Sequence, residues 1–126
     1  GLVVRFSEGV LFDKGKANLK PEAVRILEQV ASILAKVPNH IRVEGHTCDL
    51  PISTPEFPSN WELSTARAIR VLRFLVEHGF DPGKLSAAGY GEYHPLVPNV
   101  GEEQRKLNRR VDLVLVRPGL VAMEPD

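Results

Sequence analysis

Val43-Glu44-Gly45-His46-Thr47-Cys48-Asp49-Leu50-Pro51-Ile52 is followed, after a turn-rich connection, by Phe57-Pro58-Ser59-Asn60-Trp61-Glu62-Leu63-Ser64-Thr65-Ala66-Arg67-Ala68. This stretch decides how the chain folds. Its first part alternates: Ile41, Val43 and Gly45 point one way and Arg42, Glu44 and His46 the other, so residues 40–46 read as a strand. Residues 47–59 are rich in proline, serine and threonine and read as a loop. Ser59 and Glu62 have capping-box spacing ahead of a helix, and Asn60 is an equally good cap residue. Leu63, Ala66, Ile69 and Val76 then track one helical face, and Gly79 with Pro82 beyond it marks the end. A strand running through a polar loop into a capped helix makes a small pocket, and Arg67 on the second turn gives it a fixed positive charge.

Outward from this block, residues 2–6 alternate as a strand and lead through Ser7-Glu8-Gly9 to Val10-Leu11-Phe12. A helix starts near Pro21, where a missing N–H costs nothing, carries Val24, Leu27, Ala31 and Leu34 at helical spacing, and stops before Pro38-Asn39. Leu85 to Gly91 reads as a short glycine-rich strand, Glu102 to Leu107 as a helical turn, and Val111, Leu113 and Leu115 alternate with Asp112, Val114 and Val116 in a last strand. The order is strand, helix, strand, helix, strand, strand. It predicts an α+β two-layer βαβαββ sandwich with at least one parallel crossover and both amphipathic helices on one face of a mixed sheet. Residues 1–117 form the domain and 118–126, with Pro118 and Pro125, a loose tail.

The chain of 126 residues suits one domain. Its net charge of zero gives no electrostatic case for binding nucleic acid or an anionic membrane. No apolar run approaches the roughly 18–20 residues of a bilayer span. The chain opens in mid-strand, which reads as a fragment with any membrane anchor upstream. The single cysteine, Cys48, excludes an internal disulfide.

Arg67 has two readings from spacing alone. It holds a carboxylate through two parallel hydrogen bonds, or it is a solvated or ion-paired helix arginine, for example with Asp49 or Asp112, which is the commoner outcome. His46, Cys48 and Asp49 invite a hydrolase reading, but a nucleophile and its base normally come from separate elements, and no oxyanion-hole glycines follow Cys48. His40 and His46 lack the remainder of a metal-ligand set. Gly89-Tyr90-Gly91-Glu92 lacks the Lys-Ser/Thr ending and the helix of a phosphate loop. The residues point to no enzyme, metal or cofactor.

Four motifs, Gly45-His46-Thr47, Leu63-Ser64-Thr65-Ala66-Arg67-Ala68, Gly89-Tyr90-Gly91-Glu92 and Asn108-Arg109-Arg110-Val111, stand in an order and spacing that resembles the OmpA-like peptidoglycan-binding domain over residues 8–116. The Phe57–Ser64 segment, with the longer loop before it, is similar to the MotB-type flagellar stator branch. The resemblance implies non-catalytic binding of the diaminopimelate-containing stem peptide of peptidoglycan. Arg67 would grip a diaminopimelate carboxylate, the loop Thr47-Cys48-Asp49 would hold another through its backbone N–H groups, and Asn60, Leu63 and Arg110 would line the rim. It further implies a homodimer in the periplasm, belonging to an inner-membrane protein that meets a MotA-like partner through an upstream helix; an outer-membrane anchor and a domain used only for dimerisation are the alternatives. One position departs from the pattern: the family reads Gly-His-Thr-Asp where this chain has Cys48, so the carboxylate expected to meet the ligand's ammonium is missing. Three outcomes follow: Asp49 takes over, Arg67 and the backbone donors suffice, or a different stem peptide is recognised.

Overall fold

The computed structural model describes residues 2–117. The chain runs β1 (Leu2–Ser7), α1 (Glu8–Leu11), α2 (Pro21–Leu34), β2 (His40–His46), α3 (Asn60–Glu77), β3 (Leu85–Gly89), α4 (Glu102–Asn108) and β4 (Arg110–Val116). The four strands form one sheet in the order β1-β4-β2-β3. β2 and β3 are parallel, joined by the crossover through α3, and β4 is antiparallel to both β1 and β2. The expected α+β sandwich on a mixed sheet is therefore what forms.

Three elements differ from the sequence expectation. α1 covers residues to which the sequence gives no helix, only a passage from β1 through Ser7-Glu8-Gly9 to Val10-Leu11-Phe12; four residues are too few to show a period, and the Phe12 amide bonds back to the Glu8 carbonyl. A 3-10 turn at Pro82–Lys84, capped by the Asp81 side chain, precedes β3. β3 stops at Gly89: Tyr90 and Gly91 still bond to Gly45 and Thr47, but Gly91 takes φ +59° and the chain enters a turn closed by the Tyr93 amide on the Tyr90 carbonyl. The predicted tail at 118–126 lies outside the described residues.

The core sits between the helices and one sheet face. Phe6, Ile41, Val43, Val111, Leu113 and Leu115 from the strands meet Leu27 and Ala31 of α2 and Val71, Phe74 and Leu75 of α3. Each such large side chain contributes roughly 1.5–3 kcal/mol on burial. Two glycines set how close α3 comes. Gly45 and Gly89 are register partners on β2 and β3. A Cβ on Gly45 would lie 2.8 Å from the Ser64 carbonyl carbon, and one on Gly89 would lie 2.5 Å from the Thr65 amide nitrogen. The backbone of α3 therefore rests directly on the strands.

The other sheet face is ionic. Arg5, Asp112 and Glu44 stand in one cross-strand row. Asp112 receives Arg5 Nε at 2.9 Å and Arg110 Nε at 3.1 Å, and Glu44 receives Arg42 Nε at 2.8 Å. The hydrogen bond to Asp112 raises the Arg5 pKa, whereas burial lowers that of Arg110 and the adjacent Asp112 only partly offsets it.

Candidate functional site

A concave feature lies at the end of the sheet where β1 and β2 leave it and β4 enters. It is a cavity of about 230 Å³. Thr47 and Cys48 enter from the end of β2, Asn60 and Leu63 from the first turn of α3, Glu8 from α1, and Glu102 and Arg109 from either end of α4. Lys14 and the Leu50-Pro51-Ile52 segment close it.

Ser59 fixes the start of α3 as its spacing predicts. Its hydroxyl accepts from the Trp61 amide at 3.1 Å and donates to Glu62 Oε1 at 2.6 Å. That places Asn60 with its amide donating to the Leu50 carbonyl at 3.1 Å and the Cys48 carbonyl at 3.4 Å, which ties the loop to the helix. The Thr47 amide donates to the Gly91 carbonyl at 2.9 Å. Asn108, fully buried, holds the loop beyond β3: its Oδ1 accepts from Leu96 and Val97 amides at 2.8 and 3.2 Å, and its Nδ2 donates to the Val97 carbonyl at 2.9 Å and to Asn99 Oδ1 at 2.8 Å.

Four of the seven residues expected at the site, Thr47, Cys48, Asn60 and Leu63, line this cavity together; Asp49, Arg67 and Arg110 stand elsewhere. Arg67 is only 3% exposed. Its Nη1 donates to Glu8 Oε2 at 2.7 Å, its Nε to the Lys16 carbonyl at 2.8 Å and its Nη2 to the Asp13 carbonyl at 3.3 Å, and the guanidinium lies over the Phe12 ring. It sits behind Glu8 as a structural ion pair, with an acid other than the two considered from sequence. Asp49 turns out to Arg105 at 2.8 Å, which raises the Arg105 pKa, and it is not among the residues lining the cavity. Arg110 is on the opposite sheet face, bonded to Asp112 and to the Asn108 and His94 carbonyls. The reason is strand alternation: Val111, Leu113 and Leu115 face the helices, so Arg110 and Asp112 cannot.

Sequence reasoning missed Glu8, and of the basic pair Arg109-Arg110 it placed Arg110 rather than Arg109 at the rim. Arg109 sits just before β4, and its guanidinium is shared among Glu102, the Cys48 sulfur at 3.4 Å and Glu8 Oε1 at 3.5 Å. The Glu102 hydrogen bond above all raises the Arg109 pKa and lowers that of Glu102. The same alternation that turns Arg110 outward would have singled out Arg109; no comparable signal marked Glu8. The cavity wall thus carries two carboxylates, Glu8 and Glu102, and two cations, Lys14 and Arg109.

The hydrolase arrangement does not assemble. His46 points to the ionic face, with Nε2 3.1 Å from Glu44 and its ring stacked on Tyr90, whereas Cys48 faces Arg109 and Asp49 faces Arg105. Glu44, His46 and Asp112 converge closely enough to hold a metal. The guanidiniums of Arg5, Arg42 and Arg110 already engage those carboxylates, which opposes a further cation.

A family model described as the OmpA family matches residues 11–109. The chain belongs to the OmpA family. It is 43% identical to the uncharacterized protein YtxE of Bacillus subtilis over 116 residues, covering 91% of this chain and 48% of that protein. It is 37% identical to Motility protein B of the same organism over 121 residues, 94% of this chain and 46% of that one. The OmpA-family chain thus spans about half the length of these relatives. Among solved structures, a putative MotB-like protein from Desulfovibrio vulgaris superposes with a TM-score of 0.86 at 38% identity, covering 91% of this chain and 74% of that one. The cell wall anchor of the T6SS from Pseudomonas aeruginosa gives 0.85 at 35%, covering 90% and 79%. The periplasmic domain of Helicobacter pylori MotB gives 0.82 at 30%, covering 96% and 87%.

Proposed function

We propose that this OmpA-family domain binds peptidoglycan without catalysis, as the cell-wall anchor of a MotB-type stator protein. One observation carries the reading: the cavity that gathers Thr47, Cys48, Asn60 and Leu63 also presents fixed charges of both signs. A ligand end bearing both a carboxylate and an ammonium, as the diaminopimelate residue of a stem peptide does, matches such a wall. Arg109 and Lys14 receive the carboxylate. Glu8 and Glu102 receive the ammonium in place of the aspartate that Cys48 replaces. Arg67 acts from behind by holding the Glu8 carboxylate in the wall, and Asp49 and Arg110 take no part. Charge-assisted hydrogen bonds of this kind are about twice as strong as neutral ones.

The stator assignment is supported by the likeness to Motility protein B and to MotB domains. A periplasmic setting, a homodimer and a MotA-like partner follow from that assignment. The likeness to the T6SS cell wall anchor supports the broader role of wall attachment.

The test is co-sedimentation with diaminopimelate-type peptidoglycan, with the free stem peptide as competitor. Wild type pellets and is displaced, Arg109→Ala binds at least about tenfold more weakly, and Cys48→Asp, which adds an anion beside Glu8, binds more tightly. No pelleting by wild type, or an Arg109→Ala variant that pellets as well as wild type, refutes the assignment.

A further inference from the structure

The turn Asp13-Lys14-Gly15-Lys16 closes one side of the cavity and is held from within. The Lys16 amide donates to the Asp13 carbonyl at 3.0 Å, and Gly15 takes φ +70°, which glycine adopts without strain. Arg67 donates to both ends of the turn, to the Asp13 carbonyl through Nη2 and to the Lys16 carbonyl through Nε. A Cβ on Gly15 would lie 3.8 Å from Ile52 Cδ1, so the turn abuts the loop that forms the facing wall. Lys14 stands between the two anchored carbonyls, exposed to solvent and lining the cavity. Its side chain is thus carried on a fixed base at the cavity mouth.

The other charges at the cavity neutralise one another. Arg67 pairs with Glu8 Oε2 at 2.7 Å, Glu8 Oε1 lies 3.5 Å from Arg109, and Arg109 pairs with Glu102. The row alternates in sign, two guanidiniums with two carboxylates, and sums to zero. Its N–H groups and lone pairs remain able to bond a ligand, but it supplies no excess charge. Lys14 has no ion-pair partner among the described residues, and the carboxylate beside it in sequence, Asp13, lies 4.0 Å from Lys20 instead. The cavity therefore carries one uncompensated positive charge, that of Lys14.

An amino-acid end with a free carboxylate and a free ammonium has no net charge. Converting that carboxylate to a carboxamide barely changes its shape but leaves the ammonium alone, so the end becomes cationic. A cationic end is repelled by the excess charge at the mouth, and the exposure of Lys14 makes the effect modest and salt-dependent. Resting on the stem-peptide reading above, we propose that Lys14 is a specificity-determining residue that reads the charge of the ligand's terminal group. The cavity then selects stem peptides whose diaminopimelate carboxylate is free over those in which it is a carboxamide. Arg67 serves this selection indirectly, by holding the turn that carries Lys14.

The experiment titrates the 126-residue chain calorimetrically with two synthetic stem peptides, identical except that one ends in the free diaminopimelate carboxylate and the other in its carboxamide. Wild type, Lys14→Gln, Lys14→Arg and Lys14→Glu are compared at low and at high ionic strength, with circular dichroism to confirm folding. Wild type binds the acid about three- to fivefold more tightly than the amide at low salt, and high salt shrinks the ratio. Lys14→Gln binds the two peptides equally, Lys14→Arg keeps the preference, and Lys14→Glu reverses it. Equal wild-type affinity for the two peptides, or a preference that survives Lys14→Gln, overturns the role of Lys14 and leaves the cavity reading standing. A Lys14→Arg variant that loses the preference shows shape rather than charge to be read, and overturns it as well. Binding of neither peptide overturns both the selection and the reading beneath it.

Discussion

Replacing Arg67 with alanine tests whether this arginine is a structural part or a free ligand-binding group. Its guanidinium is buried, and all three of its nitrogens donate, to the Glu8 carboxylate and to the Lys16 and Asp13 carbonyls. Truncation strands the two carbonyls and leaves Glu8 only the 3.5 Å contact with Arg109. Breaking a buried pair from one side costs about 3–5 kcal/mol. For a domain of 126 residues, unfolding entropy makes each kcal/mol worth roughly 4 °C, so the melting temperature falls by about 12–20 °C. Urea unfolding with linear extrapolation, beside a thermal melt, measures the loss. Glu8→Gln keeps the shape and one acceptor, and should cost less, about 1–3 kcal/mol. A double-mutant cycle with Arg67→Met isolates the pair. A loss below about 1 kcal/mol for Arg67→Ala would show the guanidinium to be effectively solvated, and would restore it as a candidate for direct contact with ligand. Weak wall binding by Arg67→Ala means little unless the folded fraction is measured with it.

Asn108→Ala should cost about 2–3 kcal/mol and speed hydrogen exchange at the Leu96 and Val97 amides, which lose their acceptor; unchanged exchange there would show that the loop holds itself. Gly45→Ala should cost about 3 kcal/mol or more in urea unfolding, because α3 must lift off the sheet, whereas Gly9→Ala, with nothing within 4 Å of the added carbon, should be harmless. For Glu44, burial pushes the carboxyl pKa up, but hydrogen bonds from His46 and Arg42 outweigh it, so the folded value lies below 4.5. The stability it contributes is therefore present above about pH 4.5 and is lost as pH falls through the folded pKa. Glu44→Gln should flatten the acid limb of a stability-against-pH curve, and an unaltered limb would remove Glu44 from that role.

The regular elements were legible because each carries its own period or cap. β2 runs over the predicted residues, and α3 begins at Asn60 because Ser59 caps it. The motif residues at the end of β2 and the start of α3 were legible as one cluster for the same reason, since both boundaries were fixed. Glu8 was not, because its place depends on a four-residue helix and on an ion pair with a residue 59 positions away. Arg109 and Arg110 are neighbours of equal charge, and only the pleat separates them. Reading the alternation of Val111, Leu113 and Leu115 one step further back sends Arg110 to the ionic face and leaves Arg109 at the strand's entry. Cys48 is legible as a departure from the family pattern, but the presence of Glu8 from α1 in the same cavity wall is a property of the assembled fold.

The placement of β1 has a mechanical side. Leu2 stands at one end of the strand and Glu8, in the cavity wall, follows the other, roughly 20 Å away for six residues. A pull applied at Leu2 and resisted by a ligand in the cavity runs along the length of β1. All six of its register positions against β4 then carry the load side by side. A tug across the strand would instead open them in turn. The edge strand, the weakest place of most sheets, is here oriented to bear tension in shear.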